Sequence, residues 1–244
     1  MSGAAGRLLG IGLGPGDPEL VTVKAVRLMQ AAPVVASFAK AGRRGHARTI
    51  ADRWLTGVFE ELPLAYPVTT EIPFGDLAYV ALMAAFYEAS ARRIAAHLSA
   101  GRDVALLCEG DPLFYGSFMH LYIRLREKFG VEIVPGVTGM SGCWTAAGAP
   151  MTWGDDILTV LPGTLPLAAL TARLAASDAA VVMKIGRNFS KVREALAAAG
   201  LLDRAIYVER GTQAGQVVLP MKDKLDAVAP YFSMVLVPGG GRRP

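Results

Sequence analysis

Short apolar runs, most of them closed by glycine or proline, alternate with longer amphipathic stretches along the chain. The runs have the length of buried strands, and the longer stretches repeat their apolar residues with the period of a helix. In the first half, this pattern predicts strands at 7–13, 33–38, 59–64, 103–108 and 131–134 and helices at 20–31, 76–99 and 116–129. Such regular alternation of strand and helix predicts an α/β protein with a largely parallel first sheet.

The second half has a different spacing of strands. It predicts strands at 156–161, 179–185, 205–209, 216–219 and 233–237 and helices at 140–147, 165–175, 189–199 and 222–228. These strands are expected to form a mixed sheet with at least one antiparallel pair. We therefore predict two α/β domains in series, residues 1–128 and 129–244.

Composition narrows the class of protein without identifying it. The 244 residues are 52% hydrophobic and 19% charged, which is typical of a well-packed enzyme and not of a disordered chain. The net charge of +4 is a mild bias that fits an anionic ligand. Lysines and arginines form no basic stripe interleaved with aromatic residues, so a nucleic-acid partner is not predicted.

Cysteine and histidine usage points to a metal-free protein of a reducing compartment. Cys108 and Cys143 lie in apolar surroundings without CxxC spacing, and the N-terminus has no signal-peptide pattern. We therefore expect buried thiols and a cytoplasmic location. The three histidines show no metal-ligand spacing, and the charge-free stretch around residue 140 is interrupted by glycines and prolines. Neither a metal site nor a membrane span is predicted.

Three strand exits are broken by glycine, at GIGLGPGDP (10–18), EGDP (109–112) and PGVTGMS (135–141). Ligands of open α/β sheets bind at the carboxyl ends of strands, and Phe114 and Tyr115 follow the second exit and can cover a flat ring. The first exit lacks the third glycine of a dinucleotide fingerprint, and no acid occurs between Glu19 and Asp52 to bind a ribose. A nicotinamide oxidoreductase is therefore disfavoured.

A group of basic residues follows the second predicted strand: Lys40, Arg43, Arg44, His46 and Arg48. We call this group the basic lip. The first 51 residues carry seven lysines and arginines against two acids, so the lip could bind a carboxylate-rich substrate or be an ordinary solvated loop. Of its members, Arg43 and Arg44 are the predicted substrate-binding residues.

The three glycine-broken exits together carry a family resemblance. GIGLGPGDPELVTVKAVRLMQAAPVV resembles the N-terminal signature of the tetrapyrrole methylases, and CEGDPLFYGSF and VPGVTGMSGCWTAAGAP resemble their second and third motifs. The similarity covers nearly the whole chain, and the joint order and spacing make it specific. It implies a class III methyltransferase fold of two αβα domains, with S-adenosylmethionine (SAM) in the cleft between them. It further implies a tetrapyrrole substrate and a homodimer.

The motif matches imply which residues contact SAM. In the first half these are Pro15, Glu109, Gly110, Asp111, Phe114, Tyr115, Thr138 and Gly139. In the second half, where the motifs are more degenerate, they are Met183, Ile185, Arg210 and Gly211.

The branch of the family is indicated by VVMKIGRNFSKVREAL and VERGTQAGQVVLPM, which with EGDPLFYGSF resemble the enzymes that methylate C20 of precorrin-2 in cobalamin biosynthesis. A cobalt-loaded substrate or another ring position stays open, as do an RNA methylase of this fold and a non-enzymatic tetrapyrrole carrier. Because a sulfonium donor is already activated, no strong base is needed for methyl transfer itself. A proton must then leave the methylated carbon, and its acceptor is unassigned, with Glu109 and Tyr115 as candidates.

Overall fold

The computed structural model describes residues 4–68 and 76–241. The chain divides into two compact units, Met1–Thr138 and Gly139–Pro244. The predicted boundary, after residue 128, lies earlier. The difference arises because residues 131–134 form a strand that pairs with the first strand of unit 1, from Leu8↔Val131 to Ile11↔Val134, and so belong to its sheet.

Unit 1 is built on a five-stranded sheet in the order β3-β2-β4-β1-β5. Every pair in this sheet is parallel, as predicted for the first half. The elements in chain order are β1 (Leu8–Gly12), α1 (Val23–Ala31), β2 (Val34–Lys40), α2 (His46–Ala51), β3 (Glu60–Tyr66), α3 (Leu77–Ser99), β4 (Val104–Cys108), α4 (Phe118–Leu125) and β5 (Val131–Val134).

Helices cover both faces of this sheet, because successive side chains of a strand point to opposite sides. Leu8 packs with α3 and α4, whereas its neighbours Leu9 and Ile11 pack with α1 and α2. The α4 layer lies close to β1, since a Cβ at Gly10 would be 2.5 Å from the ring of Phe118. Unit 1 is thus an αβα sandwich with two apolar cores.

Helix boundaries follow local capping. The α3 helix begins as predicted, where the Asp76 carboxylate accepts a hydrogen bond from the Ala78 N–H at 2.8 Å. It is followed by Gly101, whose φ of 75° ends the helical conformation. By contrast, α1 begins later than predicted. Residues 18–20 form a separate 3-10 turn, and the Thr22 hydroxyl caps α1 by accepting from the Ala25 N–H.

Unit 2 has a mixed five-stranded sheet in the order β6-β7-β10-β8-β9. The elements are α5 (Gly139–Ala146), β6 (Leu158–Pro162), α6 (Leu167–Ala175), β7 (Ala179–Met183), α7 (Phe189–Ala198), β8 (Ile206–Glu209), β9 (Val217–Pro220) and β10 (Ser233–Val237). The β6–β7 pair is parallel, and the other three pairs are antiparallel, which confirms the mixed sheet. Helices α6 and α7 pack on one face and α5 on the other, so unit 2 is also an αβα sandwich.

The helix predicted at 222–228 is wrong. Only Met221–Asp223 form a 3-10 turn, and the chain is irregular beyond it. The guanidinium of Arg193 on α7 donates to the carbonyls of Met221 and Lys222, both at 3.3 Å, and to that of Lys224. These carbonyls would be the acceptors of the next helical turn, so a side chain from α7 takes the place of the predicted helix.

Candidate functional site

Three loops meet at the carboxyl edge of the unit 1 sheet, because β4, β1 and β5 are adjacent and parallel. We call residues 13–17, 109–117 and 135–138 the carboxyl-edge loops. Gly14 and Gly110 form an isolated bridge, with Gly110 N–H donating to the Gly14 carbonyl at 2.8 Å. A Cβ at Gly136 would be 2.1 Å from the Gly110 oxygen and 2.9 Å from the Gly12 carbonyl carbon. The loops therefore form one continuous backbone surface that only glycine permits.

Asp111 holds two of these loops together. One carboxylate oxygen accepts from the Leu113 N–H at 2.9 Å within its own loop, and the other accepts from the Gly136 N–H at 3.2 Å. Its backbone carbonyl also accepts from the Phe114 N–H at 3.2 Å. Sequence reasoning predicted a SAM contact here, and the structure shows an organising carboxylate whose two oxygens already have backbone donors.

Glu109 is the second carboxylate of the β4 loop, and its surroundings differ. The residue is open to solvent on one side, while enough protein surrounds the carboxyl group to remove much of its bulk water. This desolvation raises the pKa of Glu109 to about 7, partly offset by the nearby backbone N–H of Ala47 on α2, which favours the charged carboxylate. The predicted residue therefore lies at the strand exit as a weakly anchored carboxyl group.

Aromatic and apolar surface lies beside the carboxylates. Phe114 and Tyr115 contact each other edge to face, with ring centroids 4.9 Å apart. Tyr115 has a φ of 54° and is 44% exposed, and Leu113 is 49% exposed. A non-glycine residue with a positive φ is strained, and such strain is common at ligand sites. The structure thus places both predicted aromatic residues at the carboxyl edge.

The carboxyl-edge loops also have a distinct charge. They contain Asp17, Glu109 and Asp111 and no lysine or arginine. The predicted residues Pro15 and Thr138, both half-buried, lie on the first and last of these loops. An acidic, glycine-built surface with exposed aromatic rings suits a ligand that combines positive charge with a flat ring, as SAM does with its sulfonium, ammonium and adenine groups.

The basic lip is only partly available to a substrate. Arg44 is paired with Asp52. Arg48 is 8% exposed and is held by Asp52 and by Glu61, the latter at 2.6 Å. Arg43 is exposed at the surface. Of the two predicted substrate-binding arginines, Arg44 therefore already has an anionic partner. Sequence reasoning missed this pair because Asp52 lies eight residues later, at the C-terminal end of α2.

In unit 2, two predicted residues follow β7. Met183 is the half-buried last residue of the strand, and Ile185 is fully buried in the core beneath α6 and α7. Lys184 between them has a φ of 57°. Only the main chain of Ile185 is therefore available to a ligand.

The other predicted residues of unit 2 surround α5 and the β8–β9 connection. Gly139 is the first residue of α5, and a Cβ at Gly211 would lie 2.9 Å from the Cys143 Cα of that helix. Arg210 has a φ of 49° and pairs with Glu209 at 2.8 Å. Gly211 is thus required by packing, while Arg210 is held by a neighbouring carboxylate.

Sequence reasoning missed Thr212, the next residue of this connection. Its φ is 67°, and its N–H donates to the Gln216 side chain at 2.8 Å. Within the described ranges, its hydroxyl is the buried side-chain oxygen that lacks a hydrogen-bond partner. A buried hydroxyl without a partner is costly, which makes it a candidate for bonding to a ligand.

Two further observations bear on the class of site. Among residues 4–68 and 76–241, no cluster of three or more histidine, cysteine or acidic side chains could hold a metal ion. Over the same residues, no helix has both the length and the apolar character needed to cross a bilayer.

Two curated relatives align with nearly the whole chain. The chain is 58% identical over 245 residues to the "Precorrin-2 C(20)-methyltransferase" of Sinorhizobium sp, and the alignment covers 100% of both chains. It is 29% identical over 237 residues to the "Cobalt-precorrin-2 C(20)-methyltransferase" of Salmonella typhimurium, covering 95% of this chain and 96% of the relative.

Two solved structures have folds similar to that of this chain. A cobalt precorrin-4 methyltransferase, CbiF, superposes with a TM-score of 0.71 at 25% identity, covering 95% of this chain and 94% of that one. A uroporphyrin-III C-methyltransferase from Thermus thermophilus, complexed with S-adenosylhomocysteine, has a TM-score of 0.65 at 25% identity over 95% of this chain and 97% of that one. The family model of the tetrapyrrole (corrin/porphyrin) methylases matches residues 7–226. The chain belongs to the tetrapyrrole methylase family.

Proposed function

We propose that the chain is a SAM-dependent methyltransferase that transfers a methyl group to C20 of precorrin-2 in cobalamin biosynthesis. The observation that carries this proposal is the 58% identity, over the full length of both chains, to a precorrin-2 C(20)-methyltransferase. The carboxyl-edge loops support it chemically, because their acidic side chains and glycine backbone suit a sulfonium cofactor and contain no competing cation.

The protein's part in this reaction is to bind and align. SAM, when bound, supplies a methyl group on a positively charged sulfur, with a neutral thioether as leaving group. We propose that the main chain of the carboxyl-edge loops holds the cofactor, with Asp111 keeping the loops in place through Leu113 and Gly136. Fixing the carbon, methyl and sulfur in line removes most of the entropic cost of the displacement.

Within unit 2, we propose that the hydroxyl of Thr212 forms a hydrogen bond with the cofactor. Its neighbours Arg210 and Gly211 would contribute main-chain groups, as the resemblance implies. The buried, unpartnered hydroxyl supports this assignment, because its desolvation is otherwise uncompensated.

The metal state of the substrate is the main alternative. The identity to the precorrin-2 enzyme is 58% and that to the cobalt-precorrin-2 enzyme is 29%, which favours the metal-free ring. Any cobalt would arrive inside the substrate, so chelators are expected to leave the rate unchanged. We further propose that the protein acts as a cytoplasmic homodimer, as the family resemblance implies, and that Arg43 binds a ring carboxylate.

Cofactor binding tests the proposal directly. We expect calorimetry to detect one SAM site, with S-adenosylhomocysteine competing because it lacks only the methyl group. Gly110→Val should weaken SAM binding more than tenfold, which is about 1.4 kcal/mol, since Gly110 has a φ of 62° within the loop surface. Gly57→Val is the matched control, because Gly57 has a φ of 96° with nothing within 4 Å of an added Cβ. A folded Gly110→Val variant with unchanged SAM affinity would contradict the assignment.

A further inference from the structure

The second carboxyl-edge loop ends at Ser117, which stands at the start of α4. A serine in this position commonly accepts a hydrogen bond from a backbone N–H of the first helical turn. Ser117 makes no such bond, and its backbone already has a helical conformation, with a φ of −67° and a ψ of −18°. Its hydroxyl instead accepts from the Tyr66 hydroxyl at 2.7 Å and bonds to the Tyr87 hydroxyl at 2.9 Å. Helix capping therefore does not account for this serine.

The three hydroxyl groups join separate segments of unit 1, and we call Tyr66, Tyr87 and Ser117 the hydroxyl cluster. Tyr66 is the last residue of β3, and Tyr87 lies in the middle of α3. Tyr66 stacks on Phe38 of β2, with ring centroids 5.5 Å apart. Tyr87 is 6% exposed and stacks on His120 of α4 at 4.2 Å. Because packing fixes both rings, their hydroxyl groups hold Ser117 in a defined position.

The hydroxyl cluster anchors one end of the segment that carries the exposed ring of Tyr115. The other end is anchored at Asp111, whose carboxylate accepts from the Leu113 N–H and whose carbonyl accepts from the Phe114 N–H. Between these two anchors, Tyr115 has a φ of 54°. A strained residue keeps such a conformation only where the surrounding structure holds it. Asp111 before Tyr115 and Ser117 after it supply that restraint.

We propose that Tyr66 and Tyr87 are positioning residues, an inference that rests on the proposed function. Through Ser117 they hold the Tyr115 segment in the conformation that binds SAM. Without the hydroxyl cluster the segment would populate other conformations, and the apparent Kd for SAM would rise in inverse proportion to the fraction of molecules that remain competent. Bound SAM would still select the competent conformation. The expected signature is therefore a weaker SAM affinity with a nearly unchanged kcat at saturating SAM.

Single hydroxyl deletions test this role. Tyr66→Phe, Tyr87→Phe and Ser117→Ala each remove one oxygen and leave the aromatic rings in place. Each should raise the calorimetric Kd for SAM about 2–10-fold, the range expected for one hydrogen bond, and leave kcat at saturating SAM nearly unchanged. Tyr122→Phe is the matched control, because Tyr122 lies on α4 with its ring stacked on Phe118 at 5.9 Å. It should leave the Kd for SAM unchanged. Circular dichroism melts would give the Tm of each variant.

A double variant separates positioning through Ser117 from independent effects on packing. In the Ser117→Ala background, Tyr66→Phe should raise the Kd for SAM no further, because the effect of the Tyr66 hydroxyl passes through Ser117. Additive losses of affinity, or single variants whose Tm falls while their Kd is unchanged, would overturn the positioning role. A wild-type protein that binds no SAM would overturn both proposals. Equal SAM binding by the wild type and all variants would overturn this inference alone.

Discussion

Replacing Gly136 by alanine should destabilise unit 1, because the added methyl group has no space. The new Cβ would be 2.1 Å from the carbonyl oxygen of Gly110 and 3.0 Å from the Cα of Gly12. Both obstacles are backbone atoms, so no side chain can rotate away. The loops after β4 and β5 must separate by about an ångström, which also stretches the 3.2 Å hydrogen bond from Gly136 N–H to Asp111.

The cost can be estimated from these contacts. Overpacking costs about 1–3 kcal/mol, and losing a hydrogen bond to a charged group costs about 1.5–3 kcal/mol. Alanine also lowers the conformational entropy of the unfolded chain, which offsets about 0.4–1 kcal/mol of this loss. The net loss in the free energy of unfolding is therefore about 2–5 kcal/mol. For a chain of this size it corresponds to a fall of about 4–20 °C in Tm.

Thermal and urea unfolding followed by circular dichroism would measure this loss. Gly240→Ala is the control, since an added Cβ there meets nothing within 4 Å. It should change the free energy of unfolding by less than about 0.5 kcal/mol. A loss below about 1 kcal/mol for Gly136→Ala would refute the close approach of the three loops.

Three further predictions concern other parts of the molecule. Gly211→Ala should destabilise unit 2 by about 1–3 kcal/mol in urea unfolding, because the methyl group would lie 2.9 Å from the α5 backbone. Arg43→Ala should raise the tetrapyrrole KM more than Arg44→Ala does, since Arg44 is already paired with Asp52; equal KM values would argue against this difference. The folded pKa of Glu109 lies above its ordinary value of 4.5, so wild-type stability should decline from about pH 4.5 to about pH 7, and Glu109→Gln should lack that component in a pH series of urea midpoints.

Much of the fold follows from local sequence pattern. Strands 131–134 and 233–237 have the predicted bounds, because each is a short apolar run between turn signals. The grouping of the loops after β1, β4 and β5 also follows, since parallel strands end at one edge of a sheet. The SAM contacts predicted in unit 1 are on these loops for that reason.

The remaining features depend on contacts between distant segments, which no local pattern encodes. Residues 222–228 have helical periodicity, but the Arg193 guanidinium donates hydrogen bonds to the carbonyls of Lys222 and Lys224. Arg44 has the pattern of a free basic residue until α2 brings it to Asp52. Nothing in the sequence distinguishes Thr212 from a threonine in a solvated loop. Its burial is set by the strained backbone between β8 and β9.

The most direct test of the proposed function is to locate the transferred methyl group. Purified protein would be incubated with metal-free precorrin-2 and SAM labelled with carbon-13 in its methyl group, and the product examined by carbon NMR. We predict a single labelled methyl at C20 of the ring, formed at the same rate in the presence of a chelator. A labelled methyl at another ring carbon, or transfer only to cobalt-loaded substrate, would contradict the proposed reaction.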